Sequence, residues 1–227
     1  MTAASANGPR WLYLHGFASS PGSRKARAFL AWGASNGVTI DALDLRLPSF
    51  EHLRFSAITA RVREAIDDEA PSPAARAVLI GSSLGGLTAC RVAEADPRVA
   101  AVFLMAPAFQ LAERWRMRLG EPAWEAWRSS GVLEVDDHAT GARSRVDFAF
   151  VEELARLDRG FPDVRVPVCV VHGTKDDVVD IELSRRWAKD KRHVRLIEVD
   201  DDHELGATIP TILAEADAFF RPFLGAR

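Results

Sequence analysis

The sequence predicts a doubly wound α/β fold: a mostly parallel, six-stranded sheet covered by helices on both faces, with a helical cap inserted after the fourth strand. Three observations predict it. Short apolar runs at residues 11–14, 38–45, 77–80, 99–105, 166–171 and 194–199 alternate with stretches of helical periodicity. The runs at 11–14, 77–80, 99–105 and 166–171 are continuously apolar rather than alternating, as strands buried on both faces are. The third run passes through Gly81-Ser82-Ser83-Leu84-Gly85-Gly86 straight into a helix, the setting of a sharp strand-to-helix turn.

At 227 residues the chain suits one α/β domain, residues 1–227, with the cap at about 108–163. A formal net charge of −3, with no basic stripe and no charge block, argues against a nucleic-acid partner and against a disordered charged tail. The longest apolar stretch, 99–109, is interrupted by Pro107 and is too short for a membrane span. Residues 1–9 have neither a basic start nor an apolar run, so no signal peptide is expected and a cytoplasmic protein is. Cys90 on a helix and Cys169 within a strand read as buried free thiols rather than a disulfide or metal pair.

The elements follow in order. The run 11–14 is a strand that opens into His15-Gly16-Phe17. Residues 25–35 carry helical periodicity through Phe29, Leu30 and Trp32, and Asn36-Gly37 ends that helix. A second strand at 38–45 and a second helix at 53–68 lead through a Pro71-Ser72-Pro73 loop to the strand before the serines. A helix at 87–94 and a strand at 99–105 come next. Beyond the cap, strands at 166–171 and 194–199 are followed by helices at about 181–189 and 210–223.

Gly81-x-Ser83-x-Gly85 is a nucleophile-elbow pattern. In such a turn the serine takes a strained backbone conformation and its neighbours two residues away come too close for a Cβ, so glycine is needed there. Neither rival glycine motif fits: Ser83 replaces the second glycine of a dinucleotide fingerprint, and no Lys-Ser or Lys-Thr follows Gly86 as a P-loop would require. Ser83 is therefore the candidate nucleophile. Of six histidines, His15 and His172 precede glycines at strand ends and suit loop hydrogen bonding, while His52, His138 and His193 suit solvated surface. His203, in Asp200-Asp201-Asp202-His203-Glu204 after the last strand, lies at the same sheet edge as the elbow and is the candidate base. Asp176, four residues past His172, is the candidate orienting acid, with Asp177 and Asp180 as alternatives that spacing cannot exclude. The order Ser83, Asp176, His203 is one of the known triad orders. The backbone N–H groups of Leu84 and Phe17 are the expected oxyanion donors.

The cap stretch 108–163 holds Trp115, Trp124 and Trp127, and no strand is legible in it. It leaves the sheet at its ligand-binding edge, so these tryptophans are candidate substrate-binding residues, with core filling as the alternative. Trp124 and Trp127 share a helix face, and Gly120 separates them from Trp115. For Trp127 a wall of the acyl pocket is favoured over a structural role.

Leu14-His15-Gly16-Phe17, the Gly-Ser-Ser-Leu-Gly-Gly elbow, His172-Gly173-Thr174-Lys175-Asp176-Asp177-Val178-Val179 and Asp202-His203-Glu204-Leu205 together resemble the α/β-hydrolase superfamily along nearly the whole chain. Residues 14–26 and the elbow resemble small bacterial esterases of the YqiA type. The stretch 131–152 resembles, more loosely, the acyl-glucuronide esterase and protein depalmitoylase group. Asp180 stands where many members carry proline. The resemblance implies a serine esterase or thioesterase acting on a small-molecule acyl substrate through an acyl-enzyme, with no metal or organic cofactor. Two alternatives stand beside it: a hydrolase-fold binding protein without turnover, and a triad hydrolase acting on C–C or amide bonds. The sequence names neither acyl group, leaving group nor oligomeric state.

Overall fold

The computed structural model describes residues 8–67 and 76–224. The expected 71–73 loop and most of the 1–9 segment lie outside the described residues.

Six strands form one parallel sheet: β1 (Arg10–Leu14), β2 (Ile40–Leu43), β3 (Ala77–Ser82), β4 (Val99–Met105), β7 (Val168–Gly173) and β8 (Val194–Val199), in the order β2-β1-β3-β4-β7-β8. The strand order reverses between β1 and β3, and the crevice at the carboxyl ends of those two strands is where a doubly wound sheet leaves room for a ligand. Successive side chains point to opposite faces, and two core layers result. On one face Leu12, Leu14, Leu79 and Leu104 pack with α2 (Phe55–Asp67), α3 (Leu84–Ala95) and α6 (Ile181–Ala188). On the other, Trp11, Tyr13, Val78 and Phe103 pack with α1 (Arg24–Ser35) and α7 (Ile209–Phe220). Cys90 belongs to the first layer and Cys169 to the second, both as buried free thiols.

The stretch between β4 and β7 is not purely helical. After α4 (Leu111–Ser130) come an antiparallel hairpin, β5 (Val132–Asp137) with β6 (Ala142–Asp147), and then α5 (Ala149–Leu157). The hairpin escapes a sequence reading because its two strands bury only Asp137 and Val146 completely and carry Glu134, Asp136, Arg143 and Arg145 outward. Val146 joins the core with Leu133 and Val135 packed against it, and polar clasps add to that hold. Arg46 donates to both carboxylate oxygens of the buried Asp137 at 3.1 and 2.7 Å, and Arg54 to both of Asp147 at 2.8 Å. Within α4, Gly120 has φ +72 and breaks the helix in two, as the glycine suggests. The break leaves Trp115 on the first half and Trp124 and Trp127 on the second.

Candidate active site

The elbow places Ser83 at the end of β3 with φ +53 and ψ −116, a conformation that costs a non-glycine residue about 1–3 kcal/mol. Neighbouring backbone holds it there. The Ser83 N–H donates to the Met105 carbonyl at 2.9 Å, and the Ser83 carbonyl accepts from Gly86, Leu87 and Ala108. A Cβ on Gly81 would collide with the Gly85 carbonyl, as the elbow argument requires. A Cβ on Gly85 would strike the Leu14 and His15 carbonyls instead, so the second glycine is demanded by the packing of α3 on β1.

The three candidate side chains meet at the carboxyl edge of the sheet. Ser83 Oγ lies 3.1 Å from His203 Nε2, and His203 Nδ1 lies 2.8 Å from Asp176 Oδ2. An imidazole donating Nδ1–H to that carboxylate presents a free Nε2 lone pair to the hydroxyl. The Asp176 side chain is fully buried. Burial works to raise its pKa, but hydrogen bonds from His172 and His203, the His203 charge and the Val179 N–H outweigh it and hold the carboxyl well below the usual range. Asp176 Oδ1 accepts from the Val178 and Val179 N–H groups at 2.9 and 2.7 Å.

The alternatives left open by spacing are separated in space. Asp177 is exposed, and its carbonyl receives Arg118 at 3.3 Å. Asp180 caps α6, accepting from the Glu182 N–H at 3.0 Å. His172 contributes more than loop bonding: Nε2 lies 3.1 Å from Asp176 Oδ2 and 3.0 Å from the Val179 carbonyl, while Nδ1 lies 2.8 Å from Ser184 Oγ. No sequence signal distinguishes it from any histidine before a glycine. His15 keeps to loop bonding, its ring between the Gly16 carbonyl at 2.8 Å and the Leu45 N–H at 3.0 Å. Burial lowers its pKa, with the Gly16 carbonyl acting against that. His52 pairs with Asp147 at 3.0 Å, and His193 lies 2.8 Å from the Val164 carbonyl.

Phe17 follows β1 and Leu84 opens α3 after β3, and among the described residues neither N–H is used in a hydrogen bond. Both residues line a cavity of about 1050 Å³ that also reaches Ser83 and His203. Its apolar wall includes Leu111, Trp115 and Leu119 of α4 and Leu133 and Val135 of the hairpin. Leu111, Trp115 and Leu119 are four apart, one stripe of the helix turned inward.

Trp115 is thus the one expected tryptophan that lines the cavity, edge-on to the Phe17 ring at 4.8 Å. Trp124 and Trp127 do not line it, which corrects the expectation for both. Trp127 is 1% exposed, donates Nε1–H to the Val146 carbonyl at 3.2 Å, and packs on Trp115, Trp124 and Phe148. The break at Gly120 sets the two halves of α4 at different angles, so the shared face of Trp124 and Trp127 meets the hairpin and α5 rather than the cavity. Among the described residues, no cluster of three or more metal-ligating side chains occurs, and no helix is long and apolar enough to cross a membrane.

The chain belongs to the uncharacterised protein family UPF0227, whose model matches residues 10–220. A search of curated proteins finds no match. Solved structures of similar shape include alpha/beta hydrolase domain-containing protein 10 from mouse, 22% identical over 95% of this chain and 92% of that one, with a TM-score of 0.77. Est1E from Butyrivibrio proteoclasticus, solved with ferulic acid bound, is 18% identical over 99% of this chain and 94% of its own, with a TM-score of 0.77. The esterase domain of a Rhodothermus marinus protein is 21% identical over 96% and 90%, with a TM-score of 0.64. At such identities the likeness establishes the fold, which is that of the α/β-hydrolases.

Proposed function

We propose that this member of the UPF0227 family is a serine hydrolase that cleaves carboxylic esters or thioesters through an acyl-enzyme. The observation that carries the reading is the continuous hydrogen-bonded line from Ser83 Oγ through His203 to the buried carboxylate of Asp176. His203 takes the Ser83 proton as Oγ attacks the acyl carbon, and Asp176 holds the imidazole tautomer and stabilises its charge. The carbonyl oxygen gains charge between the N–H groups of Phe17 and Leu84, donors that contribute roughly 3–4 kcal/mol each in measured cases. The intermediate collapses, His203 protonates the leaving oxygen or sulfur, and the acyl group stays on Ser83. Water, deprotonated by His203, then attacks the acyl carbon and releases the acid. The apolar wall around Trp115 suits an acyl chain, and the ester hydrolases among the proteins of similar fold agree with this class of bond.

A fluorophosphonate probe followed by peptide mapping tests the nucleophile: label on Ser83, absent after His203→Ala, is expected. Nitrophenyl esters of increasing chain length, run beside acyl-thioesters, test the bond. A folded protein that takes no label and turns over none of these substrates would instead be a binding protein.

A further inference from the structure

Lys25 stands where electrostatics disfavours a lysine. It is the second residue of α1, whose first turn contains no acid, and the helix dipole presents partial positive charge there. It lines the cavity beside His203, and no carboxylate pairs with it among the described residues. Burial lowers its pKa from the usual lysine value, with Glu204, Asp176, Asp202 and Asp201 acting in the opposite sense. Its ammonium instead donates to the Glu204 carbonyl at 3.0 Å and reaches the His203 carbonyl at 3.5 Å.

Those carbonyls sit on an anchored, strained loop. At one side the Asp201 carboxylate receives the Ala207 and Thr208 N–H groups and the Thr208 hydroxyl, while the Lys175 N–H donates to the Asp201 carbonyl. Leu205, immediately after Glu204, is fully buried with φ +53, a conformation that leucine keeps only where its surroundings insist. Lys25 is the tie on the side of α1.

We infer that Lys25 is a positioning residue for His203: its ammonium fastens the loop that carries the ring, and its charge biases the imidazole toward the neutral form able to accept the Ser83 proton. The inference rests on the serine-hydrolase reading. Carboxylates surround the ring: Asp176 behind it, Asp201, Asp202 and Glu204 in its own loop, and Asp177 in the lining of the same cavity. From α1, Lys25 opposes them together with Arg24. Across the cavity stand Arg114 and Arg118 of α4, and Asp136 and His138 of the hairpin region. Of these cations, Lys25 alone is bonded to the His203 backbone.

The test is a titration of the His203 imidazole by NMR in the Ser83→Ala protein, with the resonance assigned by its loss in His203→Gln. Adding Lys25→Met should raise that pKa by roughly half a unit or more, and Lys25→Arg should leave it near its starting value. In the active enzyme, Lys25→Met should lower kcat by about tenfold or more, with KM little changed, because the loss is one of orientation. The acidic limb of kcat/KM should move to higher pH, since a base that protonates more readily is silenced earlier as pH falls. Melting temperature should change little, because methionine suits a half-buried helix start and its gain there offsets the loss of the two carbonyl bonds. An unmoved imidazole pKa with an unmoved acidic limb overturns the inference, as does a loss of activity that only tracks melting. Failure of the wild type to take a fluorophosphonate label would defeat the serine-hydrolase reading instead, and the NMR titration separates the two.

Discussion

His172 Nε2 lies 3.1 Å from Asp176 Oδ2, the oxygen that also receives His203 Nδ1 at 2.8 Å. One carboxylate oxygen therefore stands between two imidazoles, and the fully buried histidine fixes the carboxylate that fixes the half-buried one. His172 has no route to substrate except through Asp176. His172→Phe keeps an aromatic ring, somewhat larger, but strands Ser184 Oγ and the Val179 carbonyl, at about 1–3 kcal/mol for an unsatisfied buried group. Denaturant melts should show that loss, and kcat should fall with little change in KM. A variant with full kcat would reduce His172 to packing.

Asp176→Asn should lower kcat by about 10⁴-fold, because an amide stabilises the wrong imidazole tautomer. Asp177→Asn should be mild, its side chain being exposed and making no hydrogen bond to the imidazole among the described residues. Steady-state kinetics on a short-chain ester decide between them, and equal losses would reassign the acid.

Ser83→Ala should remove nearly all turnover, and adding His203→Ala should cost little further, since the two act as a unit. Oxyanion donors and binding could leave roughly 10³-fold over water. Retention of a tenth of wild-type activity in pure Ser83→Ala protein would mean the nucleophile is elsewhere.

Acid should loosen the protein through the carboxylates held below their usual pKa. Asp176 is one; Asp137 and Asp147 are others, where burial works to raise the pKa and the Arg46 and Arg54 hydrogen bonds outweigh it. A folded-state pKa below the unfolded one stabilises at pH above the ordinary aspartate value of about 4. That stability is lost as pH falls from there through the lower folded value. Denaturant melts from pH 7 down to 3 should show the decline, and Asp137→Asn should lessen it. An identical slope in wild type and variant would argue against the hairpin clasp.

Trp127→Ala should cost about 3–5 kcal/mol of stability and reduce activity alike on all chain lengths, because Trp127 is core. Trp115→Ala should act on substrate choice instead. If the acyl chain lies along Trp115, the penalty grows with length, since each buried CH₂ is worth about 0.8 kcal/mol. Melting temperatures measured beside a series of nitrophenyl esters test both, and a length-dependent loss in Trp127→Ala with unchanged stability would reverse the assignment.

The strands, the helices and the elbow were legible because each is written locally. A buried parallel strand is an apolar run, a helix is a period, and the strand-to-helix turn needs its glycines within five residues of chain. The chain order Ser83, Asp176, His203 was legible too, since it depends only on which strand each residue follows. The hairpin was not, because Arg46 and Arg54 hold it from almost a hundred residues away and its own strands bury little. Sequence alone could not choose among Asp176, Asp177 and Asp180, three residues of one type within a single loop. In the folded loop the Val178 and Val179 N–H groups and the His172 ring point at Asp176, and of the three it is Asp176 that bonds His203 Nδ1. Helical spacing likewise put Trp124 and Trp127 on one face, but a period carries no information about what that face meets. Only the break at Gly120 and the docking of the hairpin determined that Trp127 faces core and Trp115 the cavity, because burial is a relation between segments and a side chain's neighbours exist only once the chain has closed around it.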